Sequence, residues 1–142
     1  MPGLERVLMA KIVVTVFAWA LPLLLLPAEM FVLLGFPLPE PVVFLRLLGT
    51  AYAALVVGYA LGLRRVRTKA YPAEAVYVGI VSNGGAALVL VIAALSGSWS
   101  AWGPLARSYM WFSLFAVTAI TLGLVLASAR YKQAGPPDES QP

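Results

Sequence analysis

The sequence contains no cysteine and no histidine. Without thiols there is no disulfide framework and no thiolate chemistry. Without imidazole, the commonest metal ligand and the usual proton shuttle near neutral pH are missing. Charge is also scarce: Asp, Glu, Lys and Arg make up 11% of the 142 residues, hydrophobic residues 61%, and the mean hydropathy is +0.89. A soluble domain is nearer half apolar and a quarter charged, so this chain has too little polar surface to cover a globule in water. No carboxylate lies inside an apolar run; Glu29, Glu40 and Glu74 all fall at run ends. A proton-coupled exporter of this size would carry an acid deep in its first span. There is no Gly-rich phosphate loop and no nucleophile elbow. A haem would find only Met or Tyr as axial ligands. These absences disfavour an enzyme and leave no cofactor or metal to expect. The net charge of +4 comes with no basic face or recognition motif, which argues against a nucleic-acid partner.

What is present is long apolar runs. In Val42–Lys69, the 22 residues Val42–Leu63 carry one charge, Arg46, and the last six hold Arg64, Arg65, Arg67 and Lys69. At about 1.5 Å per residue, such a helix crosses the roughly 30 Å of a bilayer's hydrocarbon. Four such runs are legible, about 7–26, 42–63, 73–95 and 105–128. They predict an all-α membrane protein, a four-transmembrane-helix bundle forming one domain over 1–132. Met1–Leu4 read as unstructured. Lys11 enters the first run and is expected to snorkel to the interface. Pro22 should kink that span. A secretory signal cut after Ala28 is the competing reading. Against it stand the length of the run, Leu26 three positions before the cut, and the apolar segment that follows.

Pro27–Gly35 reads as a separate short interfacial helix, with Pro27 at its start, Glu29 at the positive dipole end and Gly35 as a left-handed cap. Phe31 and Leu34 should dip into lipid or bundle. Pro37, Pro39 and Pro41 make a stiff turn into the second span. Arg64–Lys69 reads as a basic loop and Ser96–Pro104 as a polar one, with Trp99 and Trp102 in an aromatic belt. Gln133–Pro142 reads as a disordered cytoplasmic tail.

Eight of the ten cations, Arg6, Lys11, Arg64, Arg65, Arg67, Lys69, Arg130 and Lys132, fall on one side if both termini share it. By the positive-inside rule that side is cytoplasmic, and Arg46 and Arg107 lie outside. A bacterial inner membrane is the expected location.

Polar residues inside the spans are where function would show first. Asn83 sits mid-span with Gly79 and Ala87 on its face, and serves either as interhelical glue or as a ligand contact. Arg46 either snorkels to headgroups or pairs with Glu29 or Glu40, or else turns inward to hold an anionic headgroup at the outer mouth, with Arg107 as a second cation. It shares a face with Gly49 and Ala53 and so borders a close helix contact. Gly58 and Gly62 form a GxxxG, for packing within the bundle or a homodimer. Tyr52 and Tyr59, seven apart, stack on another face, where their hydroxyls either satisfy Asn83 or line a pocket. Arg46, Tyr59, Asn83 and Trp111 are the expected polar lining of any cavity between the helices.

Several short patterns occur in order: Pro27-x-x-x-Phe31, Leu34-Gly35-Phe36-Pro37-x-Pro39, Arg46-Leu-Leu-Gly49, Gly58-Tyr59 and Gly79-Ile-Val-Ser-Asn-Gly. Over residues 10–130 the chain resembles the small four-helix bacterial membrane proteins grouped as DoxX-like. Some of these are linked to quinone or thiosulfate redox complexes as membrane subunits. The resemblance implies an accessory or subunit role. Relatives often carry a polar or acidic residue before the tryptophan of the fourth span; here Arg107-Ser-Tyr-Met-Trp111 has no carboxylate. The expected function is a non-enzymatic accessory membrane protein that packs with a partner or with lipid. The alternative is a carrier of small hydrophobic molecules or a quinone-binding subunit.

Overall fold

The computed structural model describes residues 2–37 and 41–133. Part of the proline-rich turn, Leu38–Glu40, and the tail beyond Gln133 lie outside the described residues. The first span is continuous but not uniform. It runs as α1 (Pro2–Val14), a π-helical turn (Thr15–Ala20) and α2 (Leu21–Leu25). Short α3 (Ala28–Leu33) follows, then α4 (Val43–Arg67), α5 (Ala73–Leu95) and α6 (Pro104–Gln133). Among the described residues there is no strand. Four helices are long and apolar enough to cross a membrane: 3–25, 43–67, 73–95 and 104–131.

The protein is an all-α, four-helix membrane bundle. Large apolar side chains, Phe17, Leu47, Val81 and Phe115 among them, point outward along all four spans. Only 11% of the most apolar stretch of α4, and of α5, is buried inside the bundle. Such faces require hydrocarbon around them.

Several boundaries differ from the sequence reading. α1 begins at Pro2, where an unstructured start was expected; Glu5 near its beginning pairs with Arg67, 3.1 Å away. The basic residues Arg64, Arg65 and Arg67 form no loop. They are the last turn of α4, where cations suit the negative dipole end. α6 also runs past Ser128 to Gln133. At Pro22 the span answers with a π-turn just upstream, which accommodates an extra residue before the proline.

The ends sort by chemistry. Glu5, Arg65, Arg67 and Glu74 gather at one, the basic end, where Tyr71 also stacks on Tyr131 at 4.7 Å. Trp99, Trp102 and α3 lie at the other, the tryptophan end. The start of α1 and the end of α6 both belong to the basic end.

The apolar core is packed in the half near the basic end. Leu8, Tyr59, Val76 and Leu124 are almost fully buried there, with Leu4, Leu63 and Val66 around them. α4 and α5 meet closely in this half because Gly62 faces Ala75; a Cβ on Gly62 would lie 2.3 Å from the Ala75 Cβ. Gly62 is therefore committed to packing inside the bundle. Gly58, the other half of the GxxxG, faces open space.

Three helices end in the same motif. The residue beyond the cap takes a left-handed conformation, and two backbone N–H groups fold back onto the last carbonyls. Gly35 (φ 85°) and Gly97 (φ 69°) fill two of these positions, and Lys69 (φ 62°) fills the third. Ala70 N–H donates to Arg65 O and Lys69 N–H to Val66 O. A side chain in this conformation costs about 1 kcal/mol. Lys69→Gly should raise stability by about that amount, read as a higher melting temperature in detergent.

Candidate functional site

The half of the bundle near the tryptophan end is not filled. A cleft of about 820 Å³ lies there, within the usual size range of small-molecule sites. Its walls follow from two prolines and two glycines.

Pro22 has no N–H, so the Ala18 carbonyl one turn earlier loses its α-helical donor. The Tyr109 hydroxyl, from α6, donates to that carbonyl. Pro27 has the same effect on the Leu23 carbonyl. The chain turns at Leu26 (ψ 133°), and the Met30 N–H, which would have served the Leu26 carbonyl, goes to Pro27 O. Arg46 supplies both missing donors: Nη1 reaches Leu23 O at 2.6 Å and Nη2 reaches Leu26 O at 2.7 Å. It can do so because α4 comes close to α2 at Gly49, where a Cβ would lie 2.9 Å from Leu24 Cγ. Arg46 thus caps the broken end of the first span and makes no ion pair with Glu29. Glu40 lies outside the described residues.

Gly35 caps α3 as its sequence predicted. Phe36 N–H donates to Phe31 O, Gly35 N–H donates to Val32 O, and the Phe31 and Phe36 rings meet edge to face at 6.1 Å. The same glycine touches Gly103 before α6: a Cβ on Gly35 would fall 2.6 Å from Gly103 Cα, and Gly103 N–H donates to Gly35 O. This backbone contact fastens α3 over the start of α6. It sets Phe36 against Tyr109 at 5.6 Å and Trp102 at 5.9 Å, which closes the cleft at the tryptophan end.

Deeper in, Trp19 projects from the π-turn and stacks on Tyr52 of α4, with centroids 6.0 Å apart and planes 23° apart. Its indole N–H donates to the buried Ser113 hydroxyl at 3.3 Å. Gly85, Ala86 and Val89 of α5 form the opposite wall. Among the described residues, no charged one lines the cleft. The Tyr52 hydroxyl enters no hydrogen bond among the described residues.

No family model, curated protein or solved structure matches the chain. The cleft must therefore be read from its own chemistry.

The four residues expected to line a cavity lie elsewhere. Arg46 faces the α2 carbonyls. Tyr59 belongs to the packed core, where its hydroxyl is 2.9 Å from Ser82 Oγ; it also borders a small surface hollow beside Gly58 and Glu74. Asn83 is buried and donates to the Gly79 carbonyl of its own helix at 2.6 Å. Trp111 is half exposed and meets the edge of Trp99. Trp99, expected in an interfacial belt, is itself buried. Tyr52, whose hydroxyl the sequence offered either to Asn83 or to a pocket, does line the large cleft, together with Trp19, Tyr109 and Ser113. The signal that leads to Tyr109 is the pair of prolines: each missing N–H implies an orphan carbonyl that needs a donor.

Lys11 departs furthest from expectation. It does not snorkel to the interface but is buried, 2% exposed, with Nζ 4.1 Å from the centroid of the Tyr59 ring. Gly79 lies beside the pair: a Cβ there would meet Lys11 Cε and Tyr59 Cε1 at an ordinary 3.7 Å, and it is Leu124 Cδ1, at 2.6 Å, that needs the glycine. Neither ion pair among the described residues involves Lys11. The face of the tyrosine ring is its partner.

Proposed function

We propose that this membrane protein holds a small hydrophobic molecule in the cleft between α4 and α5, as a carrier or as a lipophile-binding subunit, without catalysing a reaction. The observation that carries the reading is an 820 Å³ apolar cleft in a bundle whose other half is tightly packed. Helices that could pack throughout and instead part over half their length leave a space that a ligand would fill. The resemblance to DoxX-like proteins, with its implied subunit role, points the same way. The cluster of cations at the basic end supports a cytoplasmic side for it, and on that reading the cleft opens in the outer leaflet of a bacterial inner membrane.

A plug tests the reading. Gly85 lies in the cleft wall, and a Cβ there meets nothing within 4 Å. Gly85→Phe should fill the cleft without straining the helix, and removing a mid-helix glycine should slightly favour the fold. Wild-type protein purified in mild detergent should carry a lipophile enriched over bulk membrane lipid, identified by mass spectrometry of an organic extract. Gly85→Phe should lose most of it at an unchanged melting temperature. Equal amounts in both proteins would defeat the reading.

A further inference from the structure

We propose that the cleft takes the acyl chain of a lipid, admitted sideways between α4 and α5, and that the stacked Trp19–Tyr52 pair is the floor that limits how long a chain it accepts. The inference rests on the reading of the cleft as a lipophile site and adds the class of ligand.

Shape is the first argument. Phe36, packed against Tyr109 and Trp102, roofs the cleft at the tryptophan end. The lining residues nearest the basic end are Trp19 on the first span, Tyr52 on α4, Gly85 on α5 and Val117 on α6. Trp19 and Tyr52 stack across that end, and one heptad further along α4 Tyr59 already belongs to the packed core. Seven positions separate Leu45 from Tyr52, and eight separate Tyr109 from Val117. Roof and floor therefore lie about 10–12 Å apart along the spans. Half of a bilayer's hydrocarbon is about 15 Å. The cleft is a slot somewhat shallower than one leaflet, and its long walls run with the spans.

Access is the second argument. Leu48 and Val89, on the α4 and α5 rims, are exposed. α4 and α5 are held together at the other end, where Gly62 meets Ala75. A chain thus slips in from lipid through the side, while its head stays at the interface. Among the described residues no charged one lines the slot to receive a head. Wall chemistry is the third. The aromatic rings are arranged by contacts with one another: Trp19 on Tyr52, and Phe36 on Tyr109 and Trp102. The Trp19 N–H goes to Ser113 and the Tyr109 hydroxyl to the Ala18 carbonyl, so neither serves a polar head. What remains for an occupant is aliphatic wall, Leu23, Leu45, Leu48, Val89 and Leu90. Such walls offer many weak dispersion contacts and no direction, which suits a flexible hydrocarbon chain.

The test uses three brominated quenchers of tryptophan fluorescence on the full chain in a steroid-based detergent, which brings no alkyl chain of its own. They are lysophosphatidylcholines with an ω-bromodecanoyl or an ω-bromooctadecanoyl chain, and 2-bromonaphthalene as a flat ring. The Trp19 share of the emission is the difference between wild type and Trp19→Phe. Trp19 is 7% exposed, so a bromine reaches it from inside the cleft and not from the micelle. The decanoyl probe should quench most of that share saturably, with roughly fivefold or tighter binding than the naphthalene. The octadecanoyl probe should quench it much less, because its tip cannot pass the floor. Gly85→Phe should abolish the saturable quenching by all three. Tighter binding of the naphthalene, or equal quenching of Trp19 by both chain lengths, overturns the inference while the lipophile reading stands. If no probe quenches in a Gly85→Phe-sensitive way, both fall.

Discussion

Arg46→Met should lower the stability of the bundle by about 3–5 kcal/mol. The side chain makes two short hydrogen bonds from one guanidinium, at 2.6 and 2.7 Å, to carbonyls that no backbone donor can serve. Leu23 O has lost its donor to the missing N–H of Pro27, and the natural donor of Leu26 O already serves Pro27 O. A hydrogen bond from a charged group contributes about 1.5–3 kcal/mol, and an acceptor left bare near hydrocarbon carries its full desolvation cost. Methionine keeps most of the aliphatic volume, so the loss reports the two bonds and not a cavity. Arg46→Lys should recover less than half, because one ammonium on a flexible stem cannot match a planar fork set across two carbonyls. Unfolding in mixed micelles by added SDS, followed by tryptophan fluorescence, measures both variants. A change under about 0.5 kcal/mol for Arg46→Met would mean that water or headgroups serve the carbonyls as well as arginine does. The same variant should loosen the α2 wall and lower the amount of copurifying lipophile, since Leu23 and Leu26 both line the cleft.

The sequence carried the spans, the short helix after the first, and the Gly35 cap, because each depends on neighbouring residues alone. Run length sets a span, and a glycine past the last helical turn sets a cap. The closeness of α4 to its neighbour at Gly49 was also legible, since the face shared by Arg46, Gly49 and Ala53 follows from helical periodicity. What Arg46 would touch was not. Its acceptors come within reach only because α2 ends opposite Gly49, a fact of tertiary placement. The cleft was hidden for a related reason. It lies where α4 and α5 diverge, and divergence depends on what packs at the far end: Gly62 on Ala75, and Tyr59 beside Ser82. Ranking intramembrane residues by polarity favoured Asn83 and Arg46, which spend their polarity on backbone carbonyls. It passed over Trp19, whose ring makes the wall and whose one polar atom is turned to Ser113, and it left Tyr52 between a bond to Asn83 and a place in a pocket wall. Lys11 was misplaced because snorkelling is the usual escape for a lysine near a span end. Here the Tyr59 ring face, brought across from α4, takes the ammonium inside the bundle.

That inward lysine gives the second large effect. Tyr59→Leu should cost about 3–5 kcal/mol. Tyr59 is 1% exposed, so shortening it opens space in the packed half of the bundle. It also removes the hydrogen bond between the Tyr59 and Ser82 hydroxyls, leaving Ser82 only its longer contact with the Gly79 carbonyl at 3.3 Å, and removes the ring face 4.1 Å from the Lys11 Nζ. The last term can be isolated. Lys11→Met keeps an unbranched apolar stem and removes a buried cation with no carboxylate beside it. Replacing a buried charge by a residue of similar volume is often neutral or stabilising, so this variant should melt at or above wild type. In the Lys11→Met background, Tyr59→Leu should cost about 1–2 kcal/mol less than in wild type, the size expected of a desolvated contact between a cation and an aromatic face. Equal costs in the two backgrounds would mean that the ring and the ammonium are neighbours without mutual stabilisation. A large loss for Lys11→Met alone would point to a partner for the ammonium other than the ring, and would make Lys11 a functional charge of the bundle.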